Sequence, residues 1–233
     1  MANQFKIEFY KLGRSALFWL LIIFNAAVGI SAGYSWHEKR HVNDVMFPFM
    51  DALPDVSLFF VVALFTAWII GGNFGSRTIH HEVTSGLSRF SIIISRSVVA
   101  IVAGVILHVV DIFAGVIGMA MYVGFDTWNY TSDMLPWTGT VLLQLIALIC
   151  FFVFVGFLCC NMYAGLIASV VIEVGLCNIA RNFLGEFAWY KYSFFHLAET
   201  TKSSELLISS VVAVISIFVL TGLSYLVFRK REV

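Results

Sequence analysis

Long apolar runs broken by short polar stretches set the pattern of this chain. A helix needs about 20 largely apolar residues to cross the hydrocarbon core of a bilayer. Six stretches meet that test: roughly Ser15–Tyr34, Asp55–Phe74, Ser97–Tyr122, Thr138–Cys160, Met162–Ile179 and Leu206–Phe228. Gly71-Gly72-Asn73 offers the second run an early end. The fourth and fifth are separated by almost nothing, around Cys160-Asn161, which predicts a tight helical hairpin. The polar segments at about 35–54, 73–96, 123–137 and 180–205 are each too small to fold as a soluble catalytic domain. The expected fold is therefore all-α and integral to the membrane, with residues 1–233 forming one six-span domain.

A different periodicity appears between the second and third runs. In "GSRTIHHEVTSGLSRFSIIISR", Ile79, Val83, Leu87, Phe90 and Ile94 recur at spacings of four, four, three and four. Arg77, His80, His81, Glu82, Ser85 and Arg89 fall on the other faces. That is the signature of an amphipathic helix, expected over 76–95 and running on into the third span. The stretch before the first span is also amphipathic, with Phe5, Phe9 and Leu12 on one face.

Charge orients the spans. With the N-terminus inside, the inner segments carry Lys6, Lys11, Arg14, Arg77, Arg89, Arg96, Arg229, Lys230 and Arg231. The outer segments then hold Lys39, Arg40, Arg181, Lys191 and Lys202 among a larger number of acids. The positive-inside rule places both termini in the cytoplasm. Tyr34, Trp36, Trp128, Tyr130, Trp137, Trp189, Tyr190 and Tyr192 form an aromatic belt at the outer interface.

Composition agrees: 60% of the residues are hydrophobic and 12% charged, against about 45–50% and about 25% in soluble domains. Formal net charge is zero, so nothing electrostatic recommends a nucleic-acid partner. Cys150, Cys159, Cys160 and Cys177 lie in or beside apolar runs and read as small buried hydrophobes, not a zinc finger or disulfide framework. The first apolar run is as long as a full span and lacks a small-residue cleavage site, so it reads as a retained span.

Two patterns suggest enzymes. His37-Glu38-Lys39-Arg40-His41 fits H-E-x-x-H, in which a helix sets two histidines on one face to bind zinc. Here two cations sit beside the would-be dication, and the only nearby third ligands are Asp44 and Asp51. The pattern is expected to be a charged turn after the first span, with a membrane zinc protease as the alternative. Gly29-Ile30-Ser31-Ala32-Gly33 fits G-x-S-x-G. A nucleophile elbow needs a strand–turn–helix, so small residues for close helix packing are expected instead.

Ionisable groups in the spans are costly and rarely face lipid. His108 and Asp111 lie on a face of the third span with Ala100, Gly104, Gly115 and Gly118. In the fifth span Gly165, Ser169, Glu173 and Cys177 form a similar stripe. Both faces are expected to look inward, either as packing glue or as part of a translocation path. A proton-coupled carrier using Asp111 and Glu173 is a further alternative, although no internal repeat supports it.

Six spans, cytoplasmic termini and an amphipathic helix between spans two and three resemble the membrane subunits of type-2 ATP-binding-cassette exporters, the ABC-2 permeases. Their loose signature there is an acid, a glycine about four residues on and a basic residue about ten further. Glu82, Gly86 and Arg96 match it. The chain departs from it in having Ser85 before the glycine, no proline before Arg96 and no lysine soon after. The ending "FRKREV" is similar to the basic tail of these permeases.

The resemblance implies that Arg77, Glu82, Gly86 and Arg89 form a coupling helix against a separate ATPase. It also implies that Phe183, Phe187 and Trp189 belong to an outer gate after span five. The chain has no Gly-Lys pair and hence no P-loop, so ATP and Mg are expected on the partner ATPase and no cofactor on this chain. A second permease chain in the plasma membrane and an apolar or amphipathic cargo, such as a toxin, bacteriocin or antimicrobial peptide, are the remaining expectations.

Overall fold

The computed structural model describes residues 2–40, 47, 49, 59–124, 134–172, 175, 179–184, 187–196 and 203–230. Among these, every regular element is helical: α1 (Ala2–Gly13), α2 (Ala16–Arg40), α3 (Phe59–Gly75), α4 (Thr78–Thr84) and α5 (Arg89–Val123). They are followed by α6 (Met134–Cys159), α7 (Met162–Ile172), α8 (Ala180–Leu184), α9 (Ala188–Lys191) and α10 (Ser203–Arg229). Helices α2, α5, α6 and α10 are long and apolar enough to cross a membrane, and α3 with α4 makes a fifth candidate bent by 62°. The chain is thus an all-α, multi-pass membrane protein with four to five candidate spans. Of the expected fifth span, α7 supplies 11 residues, about 16 Å of helix; Glu173 and Cys177 lie outside the described residues.

Polar side chains set where helices start. Ser15 Oγ accepts from Phe18 N at the head of α2, and Ser88 Oγ accepts from Ser91 N at the head of α5. Asn161 Oδ1 accepts from Tyr163 N and Ala164 N, capping α7. With Cys160 at φ 50, that cap completes the two-residue hairpin expected between α6 and α7. In each case the hydroxyl or amide satisfies an N–H that the first helical turn leaves without an intrahelical partner.

Two boundaries differ from expectation. Residues 76–95 do not form one helix: α4 stops at Thr84, and α5 begins at Arg89, eight residues before the expected third span. Gly86 at φ 89 and the Ser88 cap reset the chain direction between them, because a left-handed residue cannot continue a right-handed helix. At the other end of the bundle, α2 runs on to Arg40. His37 and Glu38 are therefore on a helix and not in a turn; the His37 ring stacks on Tyr122, centroids 5.6 Å apart.

The core lies where α3, α5 and α6 converge, around Phe65, Ile93, Leu107, Leu148 and Phe152. Helix α2 packs most extensively on α5, and α10 on α6. Inside a membrane, helices gain little from excluding lipid, so close backbone approach does the joining. A Cβ on Gly33 would stand 2.6 Å from Gly115 O and Met119 N, and one on Gly118 would stand 2.6 Å from Ile30 O. Gly29 lies equally close to the Asp111 carbonyl, and Asn25 Nδ2 donates to Leu107 O at 3.1 Å. The Gly29–Gly33 pattern is a packing surface, as its position in a membrane helix implies.

At the α4 end of the bundle, Phe74, Phe157 and Phe228 pack edge to face or tilted within 6.0 Å of one another. They draw the ends of α3, α6 and α10 together. Helix α1 lies at this same end, together with the last turn of α10. The packing of α1 is rotated from what its apolar stripe suggests, with Leu12 kept inside and Phe5 half-buried. Gln4, Glu8, Leu12 and Ser15 are buried, while Phe9 is exposed.

Candidate functional site

Among the described residues, the α4 end brings together Glu8, Lys11, Glu82, Arg89 and Arg96. Arg96, two turns into α5, is fully buried. Its Nη2 donates to Glu82 Oε2 at 2.8 Å. The other Glu82 oxygen stands 3.8 Å from Lys11 Nζ, and Lys11 in turn donates to Glu8 Oε1 at 2.8 Å. Charges of alternating sign therefore run from α5 through α4 to α1. The buried members, Arg96 and Glu8, would each cost several kcal/mol, of the order set by ion desolvation, without their neighbours. Together they are neutral, so the row fastens the short α4 to two larger elements. Ser91 Oγ adds a bond at 2.6 Å to Gln4 Oε1.

Arg89 makes a second fastening. Its guanidinium donates to the carbonyls of Phe228 and Arg229 and lies 5.7 Å over the Phe228 ring. A cation there satisfies terminal carbonyls of α10 and meets the negative end of its dipole. The start of α5 is thereby held against the end of α10.

Of the four residues expected to form one partner-facing surface, the structure groups only some. Arg77 is exposed beside His80, His81 and Thr84, and these four line one shallow concavity on the outward face of α4. Glu82 and Arg89 point into the chain, and Gly86 forms the turn after α4. Arg77 itself adopts φ 55 where α3 bends into α4. The outward face of α4 is consequently cationic or neutral, its single carboxylate having been turned inward.

His108 and Asp111 are buried on α5, on the inward face shared by Ala100, Gly104, Gly115 and Gly118. Gly165 and Ser169 are buried on α7 as expected, while Glu173 lies outside the described residues. Of the zinc pattern, His41 lies outside them too. Among the described residues no three His, Cys, Asp or Glu side chains converge as a metal site.

The expected outer-gate segment folds as two short helices, α8 and α9. Phe183 and Phe187 are exposed, and Trp189 lies in α9. The residues after α9 are more telling. Gln144 Nε2 on α6, fully buried, donates to Ser193 O and His196 O, both at 3.3 Å. Phe194 and Phe195 pack on Phe151 at 5.8 and 5.2 Å. The segment thus descends against the middle of α6 instead of staying at its end.

Sequence reasoning missed the Glu8–Lys11 and Gln144 contributions. Both left signals. Gln4, Glu8, Leu12 and Ser15 recur at spacings of four, four and three, a mostly polar stripe that lies beside the apolar one and shares Leu12 with it. Gln144 is a lone amide inside a strongly apolar run, where a polar group needs an internal partner.

The comparisons with known proteins agree with this architecture. A family model described as "ABC-2 family transporter protein" matches residues 4–177, from α1 past the end of α7. No curated protein and no solved structure gives a significant match.

Proposed function

The chain belongs to the ABC-2 family of transporter proteins, and on that premise we propose that it forms the translocation path of an ATP-driven exporter with a separate ATPase subunit. The same reading makes it a transport subunit rather than an enzyme. In this reading ATP and Mg belong to the partner, two permease chains associate in the plasma membrane, and each contributes six spans with both termini cytoplasmic. The shared location of α1, α4 and the end of α10 supports a common side for the termini. The cargo is apolar or amphipathic, of the kind represented by peptide toxins, bacteriocins and antimicrobial peptides. The 23 Phe residues suit such cargo. His108, Asp111 and Glu173 line or brace the path, and the α8–α9 segment with Phe183, Phe187 and Trp189 closes its outer end.

One observation carries this reading: α4 is a polar projection mounted rigidly on the bundle. A helix resting on lipid has no need of a buried arginine to hold it. A helix that receives a push does, because force reaches the spans only through elements that move together. Glu82–Arg96 passes displacement of α4 to α5, and Lys11 passes it to α1. The outward face, with Arg77, His80 and His81, fits an acidic or polar groove on the ATPase, where complementary charge sets encounter and register.

Reconstitution with the ATPase tests it. Replacing Arg77, His80 and His81 together by Glu should cut ATPase co-purification about tenfold and leave insertion intact. Asp126→Lys, in a loop expected on the opposite side, should change nothing. Unchanged co-purification in the triple variant would remove α4 as the docking element. Transport by the purified chain alone down a pH gradient, without ATP, would replace the exporter reading with the carrier.

A further inference from the structure

A cavity of about 230 Å³ lies between α1 and α3, and two members of the charged row, Glu8 and Lys11, form part of its wall. Along α3 and just past its end, the wall runs through Phe65, Trp68, Gly72 and Ser76 at spacings of three, four and four. The cavity is therefore apolar and aromatic at its deep end, where Phe65 and Trp68 stand 5.9 Å apart. It is polar toward the end of α3. Across from that polar end, α1 contributes Glu8, whose side chain is 2% exposed, and Lys11, 45% exposed. A polarity gradient along the axis of a spanning helix is that of an amphiphile standing in the membrane.

Size and charge narrow the occupant. Drug-sized ligands take about 300–1,000 Å³, so this space admits a head group while acyl chains run outside it. The wall supplies one carboxylate and one ammonium, 2.8 Å apart. A head group bearing both signs matches both; an anionic or purely cationic one leaves a wall charge opposed or unmatched. A primary ammonium keeps three N–H donors for Glu8, whereas a quaternary one has none.

We propose that this cavity binds the head group of an ethanolamine phospholipid, the phosphate toward Lys11 and Ser76 and the ammonium toward Glu8. The site goes beyond the transport reading and is independent of it, since neither an ATPase nor a cargo enters the argument. Lipid bound there braces α1 against α3 through Lys11, the same residue that links α1 to α4.

The test uses the purified chain in detergent, where no leaflet biases the outcome, with lipid binding read by native mass spectrometry and melting temperature. Palmitoyl-oleoyl phosphatidylethanolamine should be retained and raise the melting temperature. The matching phosphatidylcholine and phosphatidylglycerol should bind about tenfold more weakly. Gly72→Leu is the decisive variant: Gly72 lines the cavity and a Cβ there meets nothing within 4 Å, so a larger side chain starts from open space and takes up cavity volume. It should keep the lipid-free melting temperature and lose the ethanolamine-lipid shift. Should that variant melt early, Trp68→Leu, which removes the aromatic end, serves in its place and should weaken binding similarly. Equal shifts from the three lipids, or full binding to the filled cavity, would overturn the proposal. Soluble phosphoethanolamine binding as tightly as the lipid would overturn the lipid assignment in favour of a small solute.

Discussion

Mid-bundle, α2 and α5 meet through Gly29, Gly33, Gly115 and Gly118, backbone against backbone. At the α4 end, α1, α4 and α5 meet through Glu8, Lys11, Glu82 and Arg96, charge against charge. The first joint depends on what is absent, a Cβ, and tolerates no addition. The second depends on what is present and is sensitive to which partner is removed. The contrast arises from their surroundings. In hydrocarbon an ion pair must offset two desolvation penalties, while close van der Waals packing costs nothing of that kind. At the α4 end Lys11 and Glu82 keep part of their surface exposed, so charge becomes usable and lends direction to the contact. A seam of glycines resists shear everywhere along its length; a charged elbow transmits motion at one point.

Breaking the seam should have the largest effect. Gly33→Leu brings a side chain against the Gly115 and Met119 backbone, which has no rotamer with which to give way. Overpacking typically costs about 1–3 kcal/mol and more where backbone must shift. Yield of folded chain in detergent, followed by size-exclusion fluorescence, should collapse, and Gly13→Leu, where a Cβ meets nothing, should not reproduce it.

The elbow should respond asymmetrically. Glu82→Ala leaves the fully buried Arg96 without its carboxylate and should cost about 3–5 kcal/mol. Arg96→Met leaves Glu82 beside Lys11 with access to water and should cost about 1–2 kcal/mol less than that. The double variant should be more stable than Glu82→Ala alone. Thermal melting of the three proteins checks the order, and equal losses in both single variants would dissolve the distinction.

Smaller effects sharpen the boundary of the elbow. Gly86→Leu should cost about 1–2 kcal/mol from its left-handed backbone, not from crowding, because a Cβ there meets nothing; Gly86→Asn should recover part of it. Arg89→Ala removes the cation from the end of α10 and should cost about 0.3–1 kcal/mol, seen as faster hydrogen exchange at the last turn of α10. The smallest change is expected from His37→Ala, beyond both joints, with melting and zinc content unaltered. Stoichiometric zinc in the purified chain, lost on His41→Ala, would revive the protease alternative.

Much of this molecule can be read from its sequence alone. Spans α2, α5, α6 and α10 announce themselves because hydrophobicity over twenty residues is a local, additive quantity that no tertiary contact needs to supply. The α6–α7 hairpin is legible for the same reason, since Cys160-Asn161 leaves no room for anything else. The inward face of α5 can be read from helical spacing, because a buried charge has few other places to go. Three-dimensional packing decided the rest. Which face of α1 meets the bundle was open, and its polar stripe met the bundle because Glu8 and Gln4 had partners there while Phe9 was left exposed. The break at Gly86 was written as a glycine inside an apolar stripe, yet only the fold chose a left-handed turn over a continuous helix. Glu82 looked outward by its position on a helical wheel. It turned inward because Arg96, fourteen residues on, was buried and needed a counter-ion. Pairings across such distances depend on where whole helices come to rest, and a one-dimensional pattern carries residue spacing but not that final geometry.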